Sequence, residues 1–180
     1  MLKFVEAKQT FREVPDEVCL SISLSNCPGR CEGCHSPELR EDIGEELTSE
    51  VLDKLIEENP GISCVVLLGG DGDLVSLDDA AHYVQEKHHL KVAWYSGRSI
   101  DLIGLEEEPD GQKSGLVTLP KGIDQRWFTY FKFGPYIEEC GALDKETTNQ
   151  HMLENLGLSS MPSKAAVRDI TWKFWTKAWK

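Results

Sequence analysis

The chain has 180 residues and a formal net charge of −12, with 40% apolar and 28% charged residues, enough for one domain with a sizeable core. The acidic balance argues against a nucleic-acid partner, whose phosphates need a basic face, and disfavours a substrate carrying several phosphates. No apolar run approaches the roughly 20 residues of a bilayer span, and residues 1–6 lack a signal-peptide core, so no membrane partner and a cytoplasmic location are expected.

In chain order, residues 1–17 are mixed, and Phe4 and Phe11 are expected to pack on the first strand or its hairpin. The first core strand is read at 18–24, apolar and β-prone. It leads into Cys27-Pro28-Gly29-Arg30-Cys31-Glu32-Gly33-Cys34, which Ser36-Pro37-Glu38-Leu39 closes. Thr48 starts a partial capping pattern, and Val51, Leu52, Leu55 and Ile56 recur on one helical face until Asn59-Pro60-Gly61 ends it. The continuous apolar run 62–68 reads as a strand buried on both faces, ending in Gly69-Gly70-Asp71-Gly72-Asp73. A second helix is expected over 77–88 with Ala80, Ala81 and Val84 inward. A further buried strand follows over 90–95, ending in Ser96-Gly97-Arg98. This alternation of strand and helix predicts successive βαβ units with right-handed connections.

Residues 99–122 lack clear periodicity; a short helix is expected near 100–105, and the acidic run 106–110 reads as a solvated loop. A strand over 127–133 enters Gly134-Pro135-Tyr136-Ile137, and Thr147-Thr148-Asn149-Gln150 reads as a turn. Alternation of Ile170, Trp172 and Phe174 suits a last strand over 169–175, with a helical face of Trp172, Trp175 and Trp179 as the alternative. Lys164, Arg168, Lys173, Lys177 and Lys180 make this end basic, either as a solvated surface or as a contact for an acidic partner. The whole reads as one domain, with a core of about 14–150 and a C-terminal extension over 156–180.

The chemistry concentrates in the cysteine loop. Its three thiols are spaced C-x3-C-x2-C, and Pro28, Gly29 and Gly33 let the loop curl so that three sulfurs point at one centre. Six cysteines in a cytoplasmic chain point to metal or catalysis rather than disulfides. Iron–sulfur clusters are held by cysteine thiolates, usually four; three would leave one iron open to a small molecule. A Cys3His zinc knuckle with His35 competes, although adjacent ligands chelate one tetrahedral ion awkwardly. Cys19, Cys64 and Cys140 lie singly and read as packing residues. Parallel α/β sheets bind ligands at the carboxyl ends of their strands, where the cysteine loop, Gly69-Gly70-Asp71 and Ser96-Gly97-Arg98 all fall. Backbone carbonyls of the glycines and the carboxylate of Asp71 suit an ammonium group there.

The C-x3-C-x2-C spacing directly after a strand resembles the signature of the radical S-adenosylmethionine (radical SAM) enzymes. Gly69-Gly70-Asp71 resembles the Gly-Gly-Glu motif with which that superfamily holds the amino group of SAM, with aspartate as the acid here. Cys31-Glu32-Gly33-Cys34-His35, Lys132-Phe133-Gly134-Pro135-Tyr136-Ile137 and Leu143-Asp144-Lys145-Glu146-Thr147-Thr148-Asn149-Gln150 are similar to segments of the activating proteins of anaerobic ribonucleoside-triphosphate reductase. The resemblance covers about 14–150 and is weakest over 99–126. It implies an α/β fold, a partial (β/α) barrel with a mostly parallel sheet. It also implies a [4Fe–4S] cluster on Cys27, Cys31 and Cys34, and S-adenosyl-L-methionine held by Gly69, Gly70, Asp71 and Ser96. The implied activity is that of an oxidoreductase that cleaves SAM reductively and generates a glycyl radical on the large subunit of the reductase, with electrons from a flavodoxin- or ferredoxin-like donor. Thr147, Thr148, Asn149 and Gln150 would help to line the opening. Two alternatives stand beside it: a radical SAM enzyme acting on a small molecule, similar to a deazapurine synthase, and a non-catalytic zinc-stapled interaction module.

Overall fold

The computed structural model describes residues 1–100, 102–108 and 111–175. Its strands are β1 (Lys3–Thr10), β2 (Cys19–Leu24), β3 (Glu45–Glu46), β4 (Cys64–Leu68), β5 (Lys91–Tyr95), β6 (Leu102–Glu107), β7 (Lys113–Thr118), β8 (Tyr130–Phe133), β9 (His151–Asn155) and β10 (Lys164–Asp169). The α-helices among the described residues are α1 (Ser49–Glu57) and α2 (Leu74–His88). All ten strands form one sheet, in the order β3-β1-β2-β4-β5-β8-β9-β10-β7-β6. No helix of the described residues is long and apolar enough to cross a membrane.

The pairings β2–β4, β4–β5 and β5–β8 are parallel. The others are antiparallel, so the sheet is mixed α/β and mostly antiparallel, where the sequence predicts mostly parallel. The parallel core arises from the two βαβ units, β2-α1-β4 and β4-α2-β5. After β5 the helical crossovers stop. Where a helix is expected near 100–105, the described residues 102–105 are part of β6, which pairs with β7 in a hairpin. Gly111, at φ +80° and donating to the Glu108 carbonyl at 2.8 Å, turns that hairpin. The connection from β9 to β10 is too short for a parallel crossover, which needs a dozen residues or more. The sheet is open, with β3 and β6 at its two edges, and only its β2-β4-β5-β8 core has the parallel pairing expected of a partial (β/α) barrel.

Local chemistry explains the helices. Thr48 caps α1 by accepting from the Val51 N–H at 3.3 Å, an interaction typically worth about 1 kcal/mol. Asp73 caps α2 by accepting from the Ser76 N–H at 3.1 Å. The N-terminal ammonium and Ser76 both donate to Asp73 and hold its carboxyl down at about 2.

Strand alternation then divides the core. Leu20, Val65, Leu67, Val92, Trp94, Phe131 and Phe133 face the helices, packing with Leu52, Leu77, Ala81 and Val84. Cys19, Cys64, Val66, Ala93 and Tyr130 face the other way, toward Val14, Leu143, Met152 and Ile170. Cys19 and Cys64 are buried register partners, as packing residues should be, whereas Cys140 is half-buried. Phe4 is half-buried, but Phe11 is 59% exposed and outside the core. The expected strand over 127–133 is shorter, because Gln125–Trp127 is a 3-10 turn. Likewise the last strand is β10, and Thr171–Phe174 is a 3-10 turn rather than strand. Lys177, Trp179 and Lys180 lie outside the described residues.

Candidate functional site

The cysteine loop leaves the carboxyl end of β2 and is pinned at its base. Ser25 Oγ donates to the Ile43 carbonyl at 2.7 Å, the Asn26 amide N–H to Glu41 at 3.2 Å, and the Cys27 amide N–H to Leu39 at 2.9 Å. Asn26 Nδ2 reaches Asp42 at 2.9 Å, and Arg40 Nη2 donates to the Cys31 carbonyl at 2.9 Å. These bonds bring residues 25–27 alongside 39–43, so the thiols sit on a closed loop. A Cβ placed on Gly29 would meet Cys27 Sγ at 3.2 Å and Cys31 Sγ at 3.9 Å, so two sulfurs converge over this glycine. All three loop thiols are free and half-buried. Among the described residues, no three His, Cys, Asp or Glu side chains gather as tightly as a single metal ion requires. A four-iron cluster spreads its thiolates over several metal atoms and does not ask for that convergence.

The glycine loop after β4 abuts the cysteine loop. A Cβ on Gly72 would lie 2.6 Å from the Asn26 carbonyl, so close approach of the two loops depends on that glycine. The Gly69 carbonyl accepts from Trp94 Nε1 at 2.9 Å and the Gly70 carbonyl from the Asp73 N–H at 3.1 Å; each retains one lone pair. Asp71 is buried, and its Oδ1 accepts from Ser96 Oγ at 2.6 Å and from Arg98 Nε at 2.8 Å. Arg98 Nη2 also donates to the Asp71 carbonyl at 3.0 Å. The structure thus brings the predicted residues Asp71 and Ser96 together and adds Arg98 as the counter-ion.

A cavity of about 600 Å³ opens beside the loop, bordered by Cys34, His35, Leu68, Tyr95, Lys132 and Gln150 among others. Register explains its floor: Leu68 pairs with Tyr95 and Tyr95 with Lys132, all on the face away from the helices. Of the predicted residues, Cys34 and Gln150 are on its lining; Cys27, Cys31, Gly69, Gly70, Asp71 and Ser96 lie outside that lining. The two segments after β8 close on each other at its rim. Asn149 Nδ2 donates to the Pro135 carbonyl at 2.9 Å, and Gln150 Nε2 to Gly134 at 3.4 Å. Tyr136 stacks at a tilt on His35, with ring centroids 4.7 Å apart.

Residues 17–109 match the family described as 4Fe-4S single cluster domain. The chain belongs to that family. No curated protein and no solved structure matches it. The matched part of this 4Fe-4S single cluster domain protein runs from just before β2 through β6, so it contains the cysteine loop, both helices and β2, β4 and β5 of the parallel core. The donor set fits such a cluster: three free thiols on one loop, two of them converging above Gly29.

Lys132 is the residue that motif reading missed. It is 8% exposed, and its Nζ donates to the Gly134 carbonyl at 2.9 Å. Burial lowers its ammonium to about 8, although the charges of Cys31 and Asp71 pull the other way. The signal was present in Tyr130-Phe131-Lys132-Phe133, where a lysine occupies an inward position of an otherwise apolar strand.

Proposed function

We propose that this iron–sulfur protein is a radical SAM oxidoreductase of the cytoplasm that activates an anaerobic ribonucleoside-triphosphate reductase by generating a glycyl radical on its large subunit. One observation carries the reading. Three free thiols lie on a pinned loop, and one of them, Cys34, borders a cavity whose floor holds a buried lysine ammonium. Three thiolates leave one iron of a four-iron cluster for another ligand, as open catalytic metal sites do.

In this reading Cys27, Cys31 and Cys34 hold the [4Fe–4S] cluster. The cluster and S-adenosylmethionine, when bound, supply reductive cleavage of the sulfonium and abstraction of a hydrogen atom from a partner glycine. The chain's own residues bind and orient. Lys132 meets the carboxylate of the bound amino acid with the donors that Gly134 leaves unused. Asp71 faces the ammonium end from the loop of Gly69 and Gly70, and Ser96 and Arg98 hold its carboxylate in one orientation. Leu68, Tyr95 and Phe174 give the cavity apolar walls that exclude water from the reacting groups. Electrons come from a flavodoxin- or ferredoxin-like donor.

The test is anaerobic. Protein reconstituted with iron and sulfide is reduced, mixed with SAM and the cognate reductase, and examined by electron paramagnetic resonance. A doublet from a glycyl radical on the large subunit is expected. Normal SAM cleavage with no such doublet sinks this reading and leaves a small-molecule substrate as the alternative.

A further inference from the structure

A second cavity, of about 570 Å³, shares Gln150 with the first. Apart from Thr148 and Gln150, which the resemblance places at the opening, its lining residues have no part in the proposed activation, and all of them lie beyond the matched segment 17–109. Two indoles border it. Trp172 is 44% exposed, and Trp175 is held by its Nε1, which donates to the Leu143 carbonyl at 3.0 Å. His151 also borders it, with its Nδ1 2.9 Å from Asp169 Oδ2. That carboxylate is fixed in turn: its Oδ1 accepts from the Thr171 N–H at 2.9 Å and the Thr171 hydroxyl at 2.5 Å. Lys113 and Glu146 add one charge of each sign to the lining.

We propose that this cavity binds a nucleoside: a flat heteroaromatic ring carrying an uncharged sugar. Its volume lies in the range of small-molecule sites, roughly 300–1,000 Å³. Indole faces stack on any nucleobase. An imidazole held in one orientation and the charged ends of Lys113 and Glu146 offer the donors and acceptors that a base edge requires, with Gln150 adding what its bond to Gly134 leaves. Lys113 and Glu146 offset each other, and a chain of net charge −12 repels a polyphosphate, so the uncharged nucleoside binds better than its triphosphate.

The test is isothermal titration calorimetry of the reconstituted full chain with adenosine, guanosine, cytidine and uridine in turn. Saturable binding of at least one is expected, weakened about tenfold in Trp172→Ala and in His151→Ala. Both side chains are partly exposed, so the variants should fold, and circular dichroism melting checks that they do. Trp172→Phe, which keeps a stacking face, should retain most of the affinity. The 5′-triphosphate of the same base should bind more weakly than the nucleoside. Saturating SAM should leave the nucleoside affinity unchanged, a result independent of whether any glycyl radical forms. Absence of saturable heat with all four nucleosides, unaltered affinity in both alanine variants, tighter binding of the triphosphate, or displacement by SAM would each overturn the proposal.

Discussion

Lys132 ties stability to the proposed function. An ammonium buried with one carbonyl partner is disfavoured in its charged form, and its lowered value of about 8 is a statement about folding. Between that value and the usual lysine value the unfolded chain binds the extra proton, so stability should rise with pH across that window. Below it, the cost of keeping Lys132 charged is fully present. Lys132→Met should therefore raise the melting temperature at pH 7, by an amount corresponding to about 3 kcal/mol. The gain over the parent should shrink as pH rises from about 8 to about 10.5. The same variant should bind SAM at least about tenfold more weakly, since a charge-assisted hydrogen bond is worth roughly 1.5–3 kcal/mol. A variant no more stable than the parent, with unchanged SAM affinity, would remove Lys132 from the site. The thiols divide along the same lines. Alanine at Cys27, Cys31 or Cys34 should abolish the brown four-iron protein. Alanine at buried Cys19 or Cys64 should leave the iron content intact and cost about 1 kcal/mol of packing, read from chemical denaturation.

At the scale of elements, the two loops at the carboxyl ends of β2 and β4 depend on each other. Gly72 leaves room for the Asn26 carbonyl, and Asn26 immediately precedes the first loop thiol. Gly72→Ala would push the loops apart, because a methyl group 2.6 Å from a backbone oxygen cannot be accommodated by turning a side chain. We expect a loss of about 1–3 kcal/mol in stability, and slower cluster reconstitution by ultraviolet–visible absorption, with an unchanged far-ultraviolet spectrum. Asp71→Ala should act on two levels, since it also strands Arg98 without its carboxylate. SAM affinity should fall about tenfold to a hundredfold, and the melting temperature should drop with it. Asp71→Asn, which keeps an acceptor for Ser96, should retain more stability than Asp71→Ala while still losing affinity.

For the molecule as a whole, the rim opposite the cysteine loop is held by Glu17. It joins the residue before β4 with β5 and β8, through Ser63 at 2.5 Å, Lys91 at 2.5 Å and Tyr130 at 2.8 Å. Burial pushes this carboxyl up, but the bonds from Lys91, Ser63 and Tyr130 outweigh it and hold it below the usual range. A depressed carboxyl contributes stability above its unfolded value, and that stability is lost as pH falls through its folded one. Glu17→Gln should therefore lower stability at pH 7 by about 1–3 kcal/mol, with the difference from the parent closing below about pH 4 in melting experiments. The basic C-terminal end carries a related lesson. Lys173 pairs with Asp16 at 2.8 Å, and β10 lies between β9 and β7 with Ala165 and Val167 fully buried. Truncation after Ser163 would remove an interior strand, so circular dichroism should report unfolding rather than a change in docking alone.

The sequence by itself determined the cysteine loop, the two βαβ units from β2 to β5 and the capping of α1, because each is written in residues close together in the chain. Thiol spacing, the apolar run over 62–68 and the stop at Asn59-Pro60-Gly61 need no distant partner to be read. Only the tertiary structure decided the direction of the later strands, since nothing local in β6 to β10 selects parallel or antiparallel pairing until a neighbour is chosen. It also decided that Asp71 is held by Ser96 and Arg98, that Lys132 stands beside Tyr95 in a cavity floor, and that Trp172 and His151 share a wall. The physical reason is the same in each case. Register between strands and contact between loops far apart in sequence set the burial and the partners of a polar side chain, and no local pattern carries that information.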